Sequence, residues 1–161
     1  MKEASAQKRS YLAGLIDGEG CISIHRTHSL RYSNLFVLNL RVCIKMTNKQ
    51  GIELAQEYYG GTINIKRRFA KNPNWSDIYE WELRANKAER FIRSIYPFLR
   101  VKKEHGKIAL EFRKLYKKHS SPNKIKTLEG ILTKDMVTIR ENYYNKMKEL
   151  NKRGGRLISL P

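Results

Sequence analysis

The segment LAGLIDGEG, which runs from Leu12 to Gly20, decides the fold of this chain. It is an apolar helical stretch that ends abruptly in two carboxylates, Asp17 and Glu19, set among glycines. The carbonyl end of a helix carries partial negative charge, so an anion there is disfavoured unless a cap, a cation or a metal compensates it. We interpret this pair of acids as a metal site that faces nucleic acid.

The two acids stand out because the chain as a whole is strongly basic. Its 161 residues include 33 Lys and Arg against 15 Asp and Glu, a formal net charge of +18. Such a surplus makes a polyanion the expected partner. The length fits a single domain over residues 1–161, with a core over about residues 5–116 and a helical extension over about residues 123–152.

Two other classes of basic protein are disfavoured. A small secreted protein would carry a disulfide framework, whereas Cys21 and Cys43 are the only cysteines and their spacing suggests neither a framework nor a metal knuckle. No apolar run approaches the length that spans a membrane, and the N-terminal residues lack the core of a signal peptide. We therefore expect a soluble intracellular protein with no membrane partner, in a prokaryotic cytoplasm or an organelle.

Alternating segments predict a sheet with one wet, basic face. Residues 38–47 place an apolar side chain at every second position and polar or basic ones between, and residues 21–25 and 62–66 repeat this pattern. Residues 79–83 alternate with acidic partners instead. A sheet with such a face fits along a groove of duplex nucleic acid.

Helical patterns lie before, between and after the predicted strands. A helix over residues 49–59 stops at Gly60 and Gly61, and another starts with an Asn86 and Glu89 cap pair and ends before Pro97. The remaining predicted helices cover about residues 5–17, 102–116 and, after a break at residues 120–122, 123–152. The order is α-β-β-α-β-β-α with two further helices, which is an α+β fold.

The segment from Tyr11 to Ile24 resembles the signature of the LAGLIDADG homing endonucleases, with Glu19 where that family places a metal-binding acid. The order of elements is also that of the family core, and residues 96–103 resemble a second family segment that supplies an active-site lysine. The resemblance implies a curved antiparallel sheet, or saddle, that binds double-stranded DNA. Because only one copy of the motif is present, it also implies a homodimer.

Within the motif, Gly14 and Gly18 lie four residues apart on one helical face, which allows two helix backbones to approach closely. In the family, two such helices pack together and bring one carboxylate from each subunit to the DNA-facing surface. Two adjacent carboxylates repel, so they call for a divalent cation, for which Mg²⁺ suits oxygen ligands. The implied metal ligands are Glu19 and the main-chain carbonyl of Gly18. The expected dimer interface comprises Leu12, Ala13, Gly14, Ile16, Asp17 and Gly18.

Two further positions complete the catalytic set of Glu19, Asn48 and Lys102 that the resemblance implies. Asn48 falls where relatives place an amide or acid that positions water, and Lys102 falls where they carry a lysine near the phosphate. A shift of one place selects Lys49 or Lys103 instead. Two structural alternatives stay open, namely that Asn48 caps the following helix and that Lys102 is a solvated lysine.

Sequence recognition is expected from the wet face of the sheet. Arginine and lysine address guanine and asparagine addresses adenine in the major groove, and a slip of one residue would reverse every assignment. The expected DNA-binding residues are Ser23, His25, Thr27, Asn39, Arg41, Cys43, Lys45, Asn64, Lys66 and Arg68.

These observations lead to one hypothesis, a homodimeric, Mg²⁺-dependent, site-specific double-strand DNA endonuclease of the intron- or intein-homing type that acts on a long, roughly palindromic site. An RNA maturase that binds intron RNA, or a non-cleaving DNA-binding regulator, would use the same fold. A generic basic RNA-associated protein would explain the charge but not the placement of Glu19.

Overall fold

The computed structural model describes residues 4–28, 36–68, 73–117 and 134–152. The predicted element order is confirmed within these residues, which also confirms the α+β class. The elements are α1 (Ala6–Glu19), β1 (Gly20–His28), β2 (Phe36–Met46), α2 (Lys49–Tyr59), β3 (Thr62–Lys66), β4 (Ile78–Arg84), α3 (Ala85–Ile95), a 3-10 turn (Tyr96–Phe98), α4 (Lys103–Lys117) and α5 (Lys134–Leu150). The predicted break at residues 120–122 and the start of the predicted last helix lie outside the described residues.

The four strands form one antiparallel sheet in the order β1-β2-β4-β3. Cys21 lies opposite Cys43, and Lys45 lies opposite Glu80, so the odd-numbered residues of β1 and β2 share a face with the even-numbered residues of β4. This face, which we call the outer face, is the wet face that the alternation predicted. The central position of β4 brings its acidic residues between the basic residues of β2 and β3.

The other face of the sheet carries the hydrophobic core. Helices α1 and α3 pack on it through side chains such as Ile16 and Phe91, which are fully buried. The ring of Phe91 meets that of Trp81 edge to face, with 5.1 Å between centroids. The core therefore fixes α1 against the middle of the sheet, which in turn fixes the end of α1 that carries Glu19.

Helix α1 runs two residues further than predicted and passes directly into β1. It starts after Ser5, whose hydroxyl accepts the N–H of Lys8 at 3.4 Å. Its last residue is Glu19, and the N–H of the C-cap residue Gly20 donates to the carbonyl of Ile16. A Cβ at Gly20 would lie 2.6 Å from the Ile16 Cα, so only glycine fits this junction. The junction places Glu19 between the helix and the sheet.

Helix α2 has the bounds that the sequence predicted. It ends at Gly60 and Gly61, with φ values of +67° and +101° that favour glycine. The indole N–H of Trp81 donates to the Gly60 carbonyl at 2.8 Å and ties this turn to the core.

The predicted cap pair of α3 is wrong. The helix starts at Ala85, and its N-cap residue, Arg84, makes no side-chain capping bond. Asn86 instead accepts a hydrogen bond from the guanidinium of Arg113, and Glu89 accepts hydrogen bonds from Arg93 at 2.9 Å and Arg113 at 3.4 Å. Glu89 is only 4% exposed, and a buried carboxylate is stabilised more by a cation than by a backbone N–H.

Among the described helices, none is both long and apolar enough to cross a membrane.

Candidate active site and nucleic-acid interface

Glu19, the last residue of α1, is exposed and lines an open cleft of about 390 Å³ at the edge of the outer face. Asn48, Lys45 and Lys66 line the same cleft. The fold therefore brings together one carboxylate, one amide and two ammonium groups from α1, β2, β3 and the start of α2. This combination suits a phosphate, which the ammonium groups attract, together with a cation or water held by the carboxylate.

Asp17 lies two residues before the end of α1 and serves the structure. Its Oδ2 accepts the backbone N–H of Arg100 at 2.7 Å, and its Oδ1 accepts that of Lys102 at 2.8 Å. These bonds join Asp17 to the turn that precedes α4, which begins at Lys103. Both carboxylate oxygens of Asp17 are thereby engaged away from the cleft that Glu19 lines.

Lys102 contacts the end of α1 rather than the cleft. Its Nζ donates to the main-chain carbonyl of Asp17 at 2.6 Å, where the partial negative charge of the helix end stabilises a cation. Lys103, the alternative, donates to the carbonyl of Tyr96 at 2.6 Å and lies over that ring. Lys102 is therefore the lysine nearer to the motif, and it supports the segment that carries Glu19.

The sequence left two alternatives for Asn48, a cap of the following helix or a residue of the active site. Its Oδ1 accepts the N–H of Gln50 at 2.8 Å, so it caps α2. It is also exposed and lines the cleft beside Glu19. The capping bond uses only Oδ1, and capping is thus compatible with a second role of the amide in the cleft.

Part of the dimer interface expected on α1 is buried within the single chain. Leu12, Ala13 and Ile16 are 0% exposed in the core of their own chain, so they have no surface to offer a partner. Gly14 and Gly18 are exposed, and a Cβ built at either would meet nothing within 4 Å. Gly14 and Gly18 share one exposed face of α1, which we call the glycine face, with Gln7, Ser10 and the ring of Tyr11.

The ten residues expected to contact DNA differ in exposure. All of those on β1, β2 and β3 lie on the outer face, but Cys43 is only 3% exposed opposite Cys21. Thr27 and Asn39 are engaged with each other through a 3.3 Å hydrogen bond. The exposed members are His25, Lys45, Asn64 and Lys66, and the half-buried ones are Ser23, Thr27, Asn39, Arg41 and Arg68.

The centre of the outer face is a charge cluster that sequence reasoning missed. Two carboxylates, those of Glu80 and Glu82, both bind Arg41, with 2.6 Å between Arg41 Nη2 and Glu80 Oε1. Four cations surround the carboxylates. The members of the charge cluster are Glu80, Glu82, Arg41, Lys45, Lys66 and Arg84. The signal for it was the acidic alternation of β4, but only the strand order reveals which cations it meets.

The cluster perturbs the ionisation of its members. Burial of Glu82 opposes its charged form, but hydrogen bonds from Arg84 and Arg41 outweigh burial and lower the pKa of the carboxyl below its ordinary value. Burial, with the positive charge of Arg41, lowers the pKa of His25 below its ordinary value. At neutral pH, Glu82 is therefore an anion and His25 is uncharged.

The described part of one chain holds no group of three His, Cys, Asp or Glu side chains that could bind a metal ion. The two ligands that the resemblance implies, the Glu19 carboxylate and the Gly18 carbonyl, are hard oxygen donors. Such donors suit Mg²⁺ or Ca²⁺ rather than a soft metal.

The αββαββα core, with one carboxylate at the junction of a small-residue helix and a basic sheet, agrees with the resemblance noted in the sequence. The sequence matches the model of the LAGLIDADG endonuclease family over residues 12–119. The chain therefore belongs to this family.

Solved structures share the fold across nearly the whole chain. The homing endonuclease I-CvuI, in complex with its target in the presence of Ca, has a TM-score of 0.69 and 18% identity, over 94% of this chain and 87% of that chain. The archaeal intron-encoded homing endonuclease I-Vdi141I, complexed with DNA, gives 0.64 and 19%, over 94% and 88%. The meganuclease I-SmaMI, bound to uncleaveable DNA, gives 0.66 and 13%, over 98% of this chain but 48% of that chain. No curated protein sequence matches.

Proposed function

We propose that this chain is a site-specific double-strand DNA endonuclease that works as a homodimer with a divalent metal, Mg²⁺ by preference. The observation that carries the proposal is the position of Glu19, exposed at the end of α1 in the cleft that Lys45 and Lys66 also line. An acid at the carbonyl end of a helix is unfavourable by itself, so a cation is the expected compensation. Membership of the LAGLIDADG endonuclease family supports the same chemistry.

The proposed homodimer would complete a site that one chain supplies only in part. One chain supplies one exposed carboxylate from the motif, and the glycine face of α1 is open to a second helix. Packing Gly14 and Gly18 against their symmetry copies would bring the two Glu19 side chains together across a two-fold axis. The lengths support this arrangement. In the family, chains with one motif act as homodimers, and chains with two motifs are about twice as long. This chain covers 87% of I-CvuI but only 48% of I-SmaMI, as expected of a chain with one motif.

Within each half-site, the chain's own residues bind and orient the DNA strand. Lys45 and Lys66 attract the duplex to the cleft, and the Asn48 amide orients a water molecule beside the scissile phosphate. Lys102 and Asp17 hold the end of α1 in place. The divalent metal, bound by Glu19 and the Gly18 carbonyl, would lower the pKa of the attacking water and neutralise the leaving oxygen.

The substrate we propose is a long, roughly palindromic duplex, because a two-fold dimer presents the same outer face to both half-sites. Cleavage at the uninterrupted insertion site of its own gene would make it an intron- or intein-homing enzyme. We also propose that residues 1–161 form a single endonuclease domain. An RNA maturase or a non-cleaving regulator remains an outcome of the test below.

The test compares the parent chain with Glu19→Gln and with Glu104→Gln, which removes a surface charge on α4. A library of random-sequence duplexes is incubated with each protein and Mg²⁺, and the ends of the cut molecules are sequenced. The parent and Glu104→Gln should produce cuts within a shared motif, while Glu19→Gln should bind the same motif without cutting it. Cleavage by Glu19→Gln, or binding without cleavage by the parent, would overturn the proposal.

A further inference from the structure

The acidic members of the charge cluster lie beneath its basic members. The side chains of Glu80 and Glu82 are 7% and 11% exposed, whereas those of Lys45 and Lys66 are 45% and 61% exposed. Glu80 holds both lysines, with 3.3 Å to Lys45 Nζ and 3.6 Å to Lys66 Nζ. Negative charge on a surface that meets a polyanion lowers affinity, so affinity does not account for these two acids.

The guanidinium of Arg41 is fixed on three sides. Its Nε donates to Glu82, its Nη2 donates to Glu80 at 2.6 Å, and its Nη1 lies 3.4 Å from Nε2 of His25. A free arginine would swing to any phosphate within reach. Arg41 is held in one orientation in the chain by itself.

We propose that Glu80 and Glu82 are specificity-determining positioning residues, which hold Arg41, Lys45, Lys66 and Arg84 in a fixed array on the outer face. The inference rests on the proposed function, since it presumes that this face binds duplex DNA. The two acids lower total affinity and raise the difference in affinity between the correct sequence and others.

The physical reason is the freedom of long basic side chains. Unanchored lysines and arginines adopt many rotamers and reach the phosphates of any sequence, and such contacts carry no sequence information. Carboxylates beneath them limit their reach, so only a duplex whose base edges match the fixed array satisfies them all. The same anchoring opposes the rearrangement by which a mismatched sequence would be accommodated.

The test measures sequence preference separately from affinity. The full-length parent chain, Glu80→Gln, Glu82→Gln and Glu104→Gln are each used to select from random-sequence duplex DNA, with a chelator present so that no cleavage occurs. Glu104→Gln is the matched control, because it makes the same change in charge at an exposed pair with Lys107 on α4. The bound DNA is sequenced, and affinity for unselected DNA is measured at low salt.

Glu80→Gln and Glu82→Gln should bind unselected DNA about two- to fivefold more tightly. They should also lose about tenfold in discrimination at the few base pairs nearest the charge cluster, and keep the preference elsewhere. Glu104→Gln should keep the whole preference. If Glu80→Gln does not fold, Glu80→Asp applies the same test, because it keeps the charge but shortens the reach and should weaken the preference at parental affinity.

Two results would overturn the inference. Selection of the parental sequences with parental strength by both variants would show that the acids position nothing, and it would leave the proposed function intact. A uniform loss of binding to all sequences, with a lowered melting temperature, would show that the acids serve only the fold. A parent chain that selects no sequence at all would instead contradict the proposed function.

Discussion

Asp17 and Lys102 bind each other twice across 85 residues of chain. The carboxylate of Asp17 accepts the backbone N–H of Lys102 at 2.8 Å, and the carbonyl of Asp17 accepts a hydrogen bond from Lys102 Nζ at 2.6 Å. The same carboxylate also accepts the N–H of Arg100 at 2.7 Å. These contacts join the end of α1 to the start of α4, and they set the position of Glu19, which lies two residues further on.

Replacement of Asp17 by Asn should destabilise the protein. One carboxylate oxygen becomes an NH₂ group, which cannot accept a backbone N–H, so we expect a loss of about 1–3 kcal/mol in the free energy of unfolding. Urea denaturation measures this loss, with Glu149→Gln as the control for a surface acid, here one paired with Lys152. A change no larger than that of the control would show that the two bonds to the 100–102 turn contribute nothing.

Replacement of Gly14 by Leu should separate folding from dimerisation. A side chain at Gly14 meets nothing within 4 Å in the single chain, and loss of a helical glycine stabilises a helix by about 0.5–1 kcal/mol. Sedimentation should therefore show a folded monomer that does not cut DNA. Asn145→Leu, at an exposed position of α5, should remain a dimer. An active dimer of Gly14→Leu would refute the proposed packing of the glycine face.

Asn48 can be tested for capping and chemistry separately. Serine caps a helix about as well as asparagine, but its side chain is too short to reach into the cleft. Asn48→Ser should therefore stay within about 0.5 kcal/mol of parental stability and cut DNA more slowly. Asn48→Asp should keep both the cap and the cleavage. Thermal melting and single-turnover cleavage measure the two properties. Parental cleavage by Asn48→Ser would reduce Asn48 to a capping residue.

The charge cluster predicts a response of stability to acid. Because the folded pKa of Glu82 is lowered, its contribution to stability is present above its unfolded pKa, about 4.3, and is lost as pH falls through the folded value. The parent should therefore lose melting temperature between about pH 5 and 3, and Glu82→Gln should lose less. Equal slopes for the two proteins would show that Glu82 is not held as an anion by Arg41 and Arg84.

The sequence predicted local features well because their causes are local. The bounds of α2 and β3 match those predicted, since a regular period and the Gly60-Gly61 stop are signals within the segment itself. The placement of Glu19 beside a basic face also follows from the motif and the alternation. The sequence pattern did not reveal which side chains pair with residues far away in the sequence.

Three features depended on such partners. The acids of β4 meet Arg41 and Lys66 only because β4 lies between β2 and β3, an order that alternation does not encode. Asn86 and Glu89 have the spacing of a cap pair, but both side chains accept hydrogen bonds from Arg113, more than 20 residues away. Leu12, Ala13 and Ile16 belong to the motif, yet the core of their own chain buries them, whereas Gly14 and Gly18 are exposed.

The central claim is that each chain supplies half of one active site, through Glu19. Mixing parent and Glu19→Gln chains at fixed total concentration, with time for subunits to exchange, tests it directly. If two intact copies are needed, double-strand cleavage should fall as the square of the parent fraction, to about one quarter in an equal mixture. A linear fall, to about one half, would mean that each chain cuts both strands alone and would contradict the account.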